Sequence, residues 1–199
     1  MARLSKLEKV KDIDYNKVIV INRLLSDDAN ILNKELKRLS TVYGDSIRSG
    51  LMNNAQIQKM AQNNLFSQTI SKAIADSLRN NFTIHFDQGE LDEVKKHLLE
   101  THGNELDEEK ASNLSKFIIY DNLLWDFFQK EWNVSITDEE VDNILQDHYK
   151  NTNLSIREYK NDPEKFERMK NSLIYQKTIN YAAHKFTVKL EKILTEKKD

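Results

Sequence analysis

The chain has 199 residues, enough for one large domain or two small ones with a sizeable buried core, and its 30 Lys and Arg against 32 Asp and Glu give a formal net charge of −2. That balance argues against a strongly basic nucleic-acid binder, although both ends are locally basic and residues 87–109 are acidic. With no Cys there is no disulfide framework, thiol nucleophile or thiolate metal site, and four Gly with one Pro supply too little turn chemistry for most β-rich enzyme folds; the expected class is all-α.

The opening "MARLSKLEKVKDID" has no apolar stretch followed by a small-residue cleavage pattern, and no apolar run reaches membrane-spanning length. A soluble cytoplasmic protein without a membrane partner is expected. "VIVI" at 18–21 is β-branched and short, compatible with one isolated strand or with the start of a helix. Ser26 then offers a cap for a helix carrying Ile31, Leu32, Leu36 and Leu39, and Gly44 and Gly50 punctuate the chain beyond it. From Met52 to Asn80, Ile57, Met60, Ala61, Leu65, Ile70, Ala73, Ile74 and Leu78 recur at three- and four-residue spacing, the mark of one buried helical face with an Asn- and Gln-rich solvated side.

Two later stretches carry the same instruction. In "VSITDEEVDNIL", residues 134–145, Thr137 and Glu140 form a capping box, with Ile136 and Val141 as a hydrophobic staple that sets how the chain enters the helix. In "IHFDQGELDEVK", residues 84–95, Asp87 and Glu90 occupy the same places, with Phe86 and Leu91 as the staple. Ala at either cap is expected to cost about 1 kcal/mol.

Each cap opens a helical hairpin. The first has a helix from about Gln88 to Thr101 with Leu91, Val94 and Leu98 inward, a turn at Gly103 and Asn104, and a long return helix to Trp132. The second has a helix from Asp138 to about Tyr149 with Val141, Ile144 and Leu145 inward, a short piece near Ile156, and a return helix that Asp162-Pro163 starts cleanly. "FTI" at 82–84, "WNV" at 132–134 and "FTV" at 186–188 each place an aromatic, a poor helix former and a β-branched residue at a helix end, which favours a brief extended exit. Phe86, Trp132 and Val134 therefore join the caps Asp87, Glu90, Ile136, Thr137 and Glu140 as hinge positions.

With these residues assembled, "NVSITDEEVDNILQDHYKN" and "LSIREYKNDPEKFERMKNSLIYQKTINYAAHKFTV", preceded by "LFSQTISKAIADSLRNNFTIHFDQGELDEVKKHL", resemble the C-terminal domain of bacterial trigger factor, which is grouped with the peptide-binding domain of SurA-type chaperones. The resemblance spans about residues 50–190 as a layout of helices, exits and caps. It implies one elongated domain over 1–199, with a body of about residues 1–86 plus the C-terminal helix end, a first arm at about 87–132 and a second at about 137–186, around a cradle that holds unfolded or nascent polypeptides without ATP. The ribosome-docking signature and the FKBP-type isomerase domain of trigger factor are missing, as is a parvulin domain, so ribosome docking and prolyl isomerisation are not carried over.

Such a protein needs accessible apolar surface and no reactive group. In "FIIYDNLLWDFFQKEW" the apolar arc, with Phe117, Tyr120, Leu124 and Phe128 on one face and Phe127 and Trp125 on its flanks, is wider than a half-buried helix requires. Two readings fit: a central helix covered all round, or one with an open flank from which Trp125 or Phe127 reaches a client. Candidate peptide contacts are therefore Tyr120, Trp125, Phe127 and Phe128 in the first arm and Tyr149, Tyr159, Phe166 and Tyr175 in the second; Met52, Met60 and Met169 offer adaptable contacts or fill gaps. No catalytic residue and no cofactor is assigned. His97, His102 and Glu93 form no recognised metal motif, and the acidic clusters at 107–109 and 138–140 complement helix N-termini. The alternative is a helical scaffold that binds one specific folded partner. An enzyme is not expected, nor is a nucleic-acid partner for the terminal "EKILTEKKD", and nothing in the sequence sets an oligomeric state.

Overall fold

The computed structural model describes residues 4–103, 106–152 and 155–191. Asn104 of the expected turn and residues 192–199 of the C-terminal segment lie outside this range. The fold is all-α: helices α1 (Ala29–Val42), α2 (Gly44–Arg48), α3 (Asn54–Leu78), α4 (Gln88–His102), α5 (Glu108–Glu131), α6 (Asp138–Thr152), α7 (Arg157–Asn161) and α8 (Pro163–Lys185) carry most of the chain. Strands β1 (Lys6–Lys9), β2 (Val18–Ile21), β3 (Phe82–His85) and β4 (Thr187–Leu190) are each four residues long.

The strands exceed the one or two extended segments expected, because they pair in two separate ladders. Strand β1 runs antiparallel to β3 with Leu7 opposite Ile84, and β2 runs parallel to β4 with Ile19 opposite Val188. "VIVI" is thus a strand, its Ile19 and Ile21 buried and its Val18 and Val20 exposed, and "FTI" and "FTV" leave their helices into β3 and β4. "WNV" does not: Asn133 takes a left-handed φ of 51°, and the amides of Trp132 and Asn133 close the end of α5 onto the Phe128 and Lys130 carbonyls. Asn tolerates that region better than most residues, so the helix ends in a turn and no strand follows.

The chain folds into two compact units, each built from two segments, so the expected body of residues 1–86 is divided between them. The first unit comprises Met1–Asp14 and Ala75–Asn133, the second Tyr15–Ile74 and Val134–Asp199. Helix α3 passes from one to the other at Ile74–Ala75.

In the first unit, α4 and α5 form the hairpin, joined across its turn by Lys95 and Glu108 at 2.6 Å. Phe82 of β3 packs its ring edge-on against Phe127 at 5.1 Å and Phe128 at 6.5 Å, and Trp132 stacks on Phe128 at 4.3 Å. Tyr120 donates its hydroxyl to the Ala75 carbonyl at 2.7 Å. Asp87 caps α4 by accepting from the Glu90 amide at 2.9 Å. The other half of that expected box is absent, for Glu90 turns to the N-terminal strand and accepts from the amides of Ser5 at 2.7 Å and Leu4 at 3.2 Å. The Asp87 amide is satisfied by the Ser5 hydroxyl at 2.9 Å instead. A local signal has been put to a long-range use.

The second unit holds two clusters. Leu39, Met52, Ile57 and Ala61 form one, with Leu32, Leu36, Tyr43, Ile47 and Met60 packed around them. Its helix α1 is capped by Asp28, whose carboxylate accepts from the Asn30 and Ile31 amides, and not by Ser26, which lies in a preceding 3-10 turn. Glu35 fastens α1 to α3 by accepting from Asn64 at 2.9 Å while its own helix neighbour Arg38 donates to both carboxylate oxygens. Ile136, Val141, Leu145 and Ile156 form the other cluster, with Tyr159, Phe166, Met169, Leu173 and Ile174 against it. Ile144, expected inward, is 43% exposed, since its position on α6 faces away from the α8 side that buries Val141 and Leu145.

Candidate functional site

The caps of α6 set the geometry of the second hairpin. Thr137 and Glu140 make the full reciprocal box, the Thr137 amide donating to Glu140 at 2.7 Å and the Glu140 amide to the Thr137 hydroxyl at 3.1 Å. The amide of Thr137 first and the Lys177 ammonium second hold the Glu140 carboxyl below its ordinary range. Lys177, at 3.1 Å from Glu140, also donates to the Ser135 carbonyl at 2.8 Å, and Lys170 pairs with Asp138, so α8 is tied twice to the start of α6. Within this frame the staple pair Ile136 and Val141 is buried, whereas Phe86 at the equivalent place in the first unit is 36% exposed.

The far end of α6 is anchored differently. Ser46 of α2 donates its hydroxyl to the Thr152 carbonyl, one of the last in α6 that the helix itself leaves free, and Tyr43 lies 5.9 Å from the His148 ring. Burial against these neighbours lowers the His148 pKa, favouring the neutral imidazole.

Against this framework the predicted contact residues separate. Trp125 is 1% exposed, Tyr120 2% and Phe128 0%, so none of them presents surface for an outside contact. Trp125 donates its indole N–H to Asp121 at 3.0 Å, and burial pushes the Tyr120 hydroxyl pKa upward. The helix is the covered central one of its unit, and the wide apolar arc is met by β3, α3 and α4. Phe127 is half-buried against Phe82. Tyr159 and Phe166 are half-buried in the α6–α8 core, together with Met169, and Tyr175 is half-buried on α8. Tyr149 alone of the eight is exposed, at 43%.

Tyr149 lines a cavity of about 480 Å³ at the α6–α7 end of the hairpin, together with Gln146, Ser155, Ile156 and Arg157. That volume falls in the range of ligand pockets. The wall is mixed: the Ile156 side chain brings the edge of the hairpin core, Tyr149 an aromatic lip, and the remaining three side chains neutral or cationic polar groups. Sequence reasoning found Tyr149 by its aromaticity but missed Gln146, Ser155 and Arg157, which carry no signal of their own in a chain this polar. A second, smaller cavity of about 200 Å³ lies between α4 and α5, where Gln88, Asp92, Lys95, Ser112, Ser115 and Lys116 line it around Leu91. Within it Gln88 donates to Asp92 at 2.8 Å, while Lys95 is paired to Glu108 and the Ser115 hydroxyl donates to the Ala111 carbonyl of its own helix. Among the described residues no three His, Cys, Asp or Glu side chains gather as a metal would require, and no helix is long and apolar enough to cross a membrane.

No family model matches the chain. It is 28% identical over 189 residues to the uncharacterized protein MG377 of Mycoplasma genitalium, covering 93% of both chains. The MG377 homolog of Mycoplasma pneumoniae is 29% identical over 188 residues, covering 92% of this chain and 94% of that one. Among solved structures, the hypothetical Mycoplasma protein MPN555 superimposes with a TM-score of 0.82 at 24% identity, over 94% of this chain and 91% of that one. The likeness to MPN555 is one of fold, and the sequence likenesses to the two Mycoplasma proteins run over nearly their whole length.

Proposed function

We propose that this protein is an ATP-independent, chaperone-like protein that binds unfolded or nascent polypeptide segments, without prolyl isomerase activity, and that the end of the α6–α8 hairpin is one of its contact surfaces. The observation that carries the proposal is that this hairpin has a complete core of its own and still leaves a cavity of about 480 Å³ open beside an exposed Tyr149. Tyr149 is exposed and outside that core, so its ring is open to a client. Burying one aromatic side chain of about 150 Å² contributes a gross ~4 kcal/mol, most of it offset by the cost of ordering the segment, which suits repeated weak capture and release. The resemblance of the sequence to trigger-factor and SurA-type peptide-binding domains supports the same reading, as an analogy.

The test is suppression of aggregation of a chemically unfolded protein at stoichiometric ratio, without nucleotide. Suppression that weakens in Tyr149→Ser, with helicity retained, is the expected result. No suppression at several-fold excess overturns the proposal and favours a scaffold that holds one folded partner.

A further inference from the structure

The two cavities differ in how their charges are arranged. The α4–α5 cavity carries a carboxylate, Asp92, which accepts from Gln88 beside it, and its Lys95 is paired with Glu108. No carboxylate appears among the described residues that line the α6–α7 cavity, and the cation among them, Arg157, is exposed and makes no ion pair with a described residue. The nearby Lys150 is paired with Asp147 at 3.2 Å on α6. An apolar floor at Ile156, an aromatic wall at Tyr149 and, at the rim, a guanidinium with no ion-pair partner among the described residues therefore meet at this cavity. Each has a defined preference: the floor and wall favour a flat apolar side chain, and a guanidinium favours a carboxylate, which it holds in a planar, two-pronged geometry.

We propose that this cavity selects extended peptide segments in which an aromatic side chain fills the space between Tyr149 and Ile156 while a neighbouring Asp or Glu pairs with Arg157. The inference rests on the polypeptide-binding reading and adds a sequence preference to it: acidic–aromatic segments are bound, and basic–aromatic ones are turned away at the rim. Gln146 and Ser155 offer side-chain hydrogen bonds to the backbone of such a segment, which fixes no sequence. Because the guanidinium is exposed, the discrimination is electrostatic at a wet rim and falls with ionic strength.

The experiment uses the full chain and two dye-labelled peptides of equal length, one with Trp flanked by Asp and one with Trp flanked by Lys, titrated by fluorescence anisotropy. The acidic peptide is expected to bind about fivefold more tightly at low salt, the size of one exposed charge pair. Its advantage should vanish at about 1 M salt. Arg157→Glu should reverse the order, Arg157→Lys should keep it with a smaller margin, and Tyr149→Ser should weaken both peptides together. Both side chains are exposed, so circular dichroism and melting of the variants check that the fold is unchanged. Equal affinity for the two peptides, or an order that Arg157→Glu leaves intact, overturns the inference. If that happens while the wild type still suppresses aggregation, the polypeptide-binding reading stands and only the pocket falls. If the peptides are discriminated but nothing is kept from aggregating, the pocket stands as the site of one acidic partner.

Discussion

Trp125 and Phe128 illustrate how one side chain's role is decided by its surroundings. Both are essentially without exposed surface, so truncating either removes core atoms and leaves a cavity. Trp125→Ala is expected to lose about 3–5 kcal/mol of stability, seen as a lower urea midpoint at unchanged slope. A client-binding defect at full stability would contradict this assignment. The sequence left both readings of this helix open for a physical reason: the period shows that three sides of α5 are apolar, but not that β3 and the end of α3 arrive to cover them. His148 carries a different consequence. Its pKa is lowered in the fold by burial, so between its ordinary value of 6.5 and the folded one the unfolded chain binds the proton and the folded chain does not. The contribution of the neutral ring is therefore fully present above pH 6.5 and is lost as pH falls through that window. Denaturant titrations at pH 7.5 and pH 5 should show a loss that is reduced in His148→Asn; an identical loss in the variant would place the acid sensitivity elsewhere.

The start of α4 and the start of α6 look alike as sequence and differ as elements. Thr137 and Glu140 close on each other, so Thr137→Ala should cost about 1 kcal/mol and act on α6 alone. Glu90 instead holds the Leu4 and Ser5 amides, so Glu90→Ala should cost about 1–3 kcal/mol and release the segment that leads into β1. Hydrogen exchange reads the difference: the Ser5 amide should lose protection in Glu90→Ala and keep it in Thr137→Ala, and protection surviving in both would mean that β1 is anchored by its ladder alone. Helix limits were legible because they are local: Asp162-Pro163, Asp87 and the Thr137 box mark starts within one turn, and the three- and four-residue period of α3 runs uninterrupted from Ile57 to Leu78. The strands were not legible as pairs. Four residues carry too little pattern to name a partner, and β1 finds β3, and β2 finds β4, only through chain that folds in between. The cavity was illegible for the same reason, since Gln146 and Arg157 become neighbours only when α6 and α7 meet.

The interleaving of the chain has its own consequence for how the protein unfolds. Neither unit is a continuous stretch, and α3 supplies Ile57, Ala61 and Leu65 to the second and Leu78 to the first through one unbroken ladder of backbone hydrogen bonds. Melting one unit therefore frays a helix that the other requires, so the turns of α3 that one unit packs support the start of the other's. Both tryptophans of the sequence, Trp125 and Trp132, belong to the first unit, so their fluorescence follows that unit alone. Far-ultraviolet circular dichroism follows the helices of both. Coincident transitions by the two probes, at one midpoint and one slope, are the expected outcome of the shared helix. A fluorescence transition that precedes the loss of helicity would show that the first unit melts by itself and that α3 tolerates an end at Ile74, in which case each unit could be prepared and tested for polypeptide binding separately.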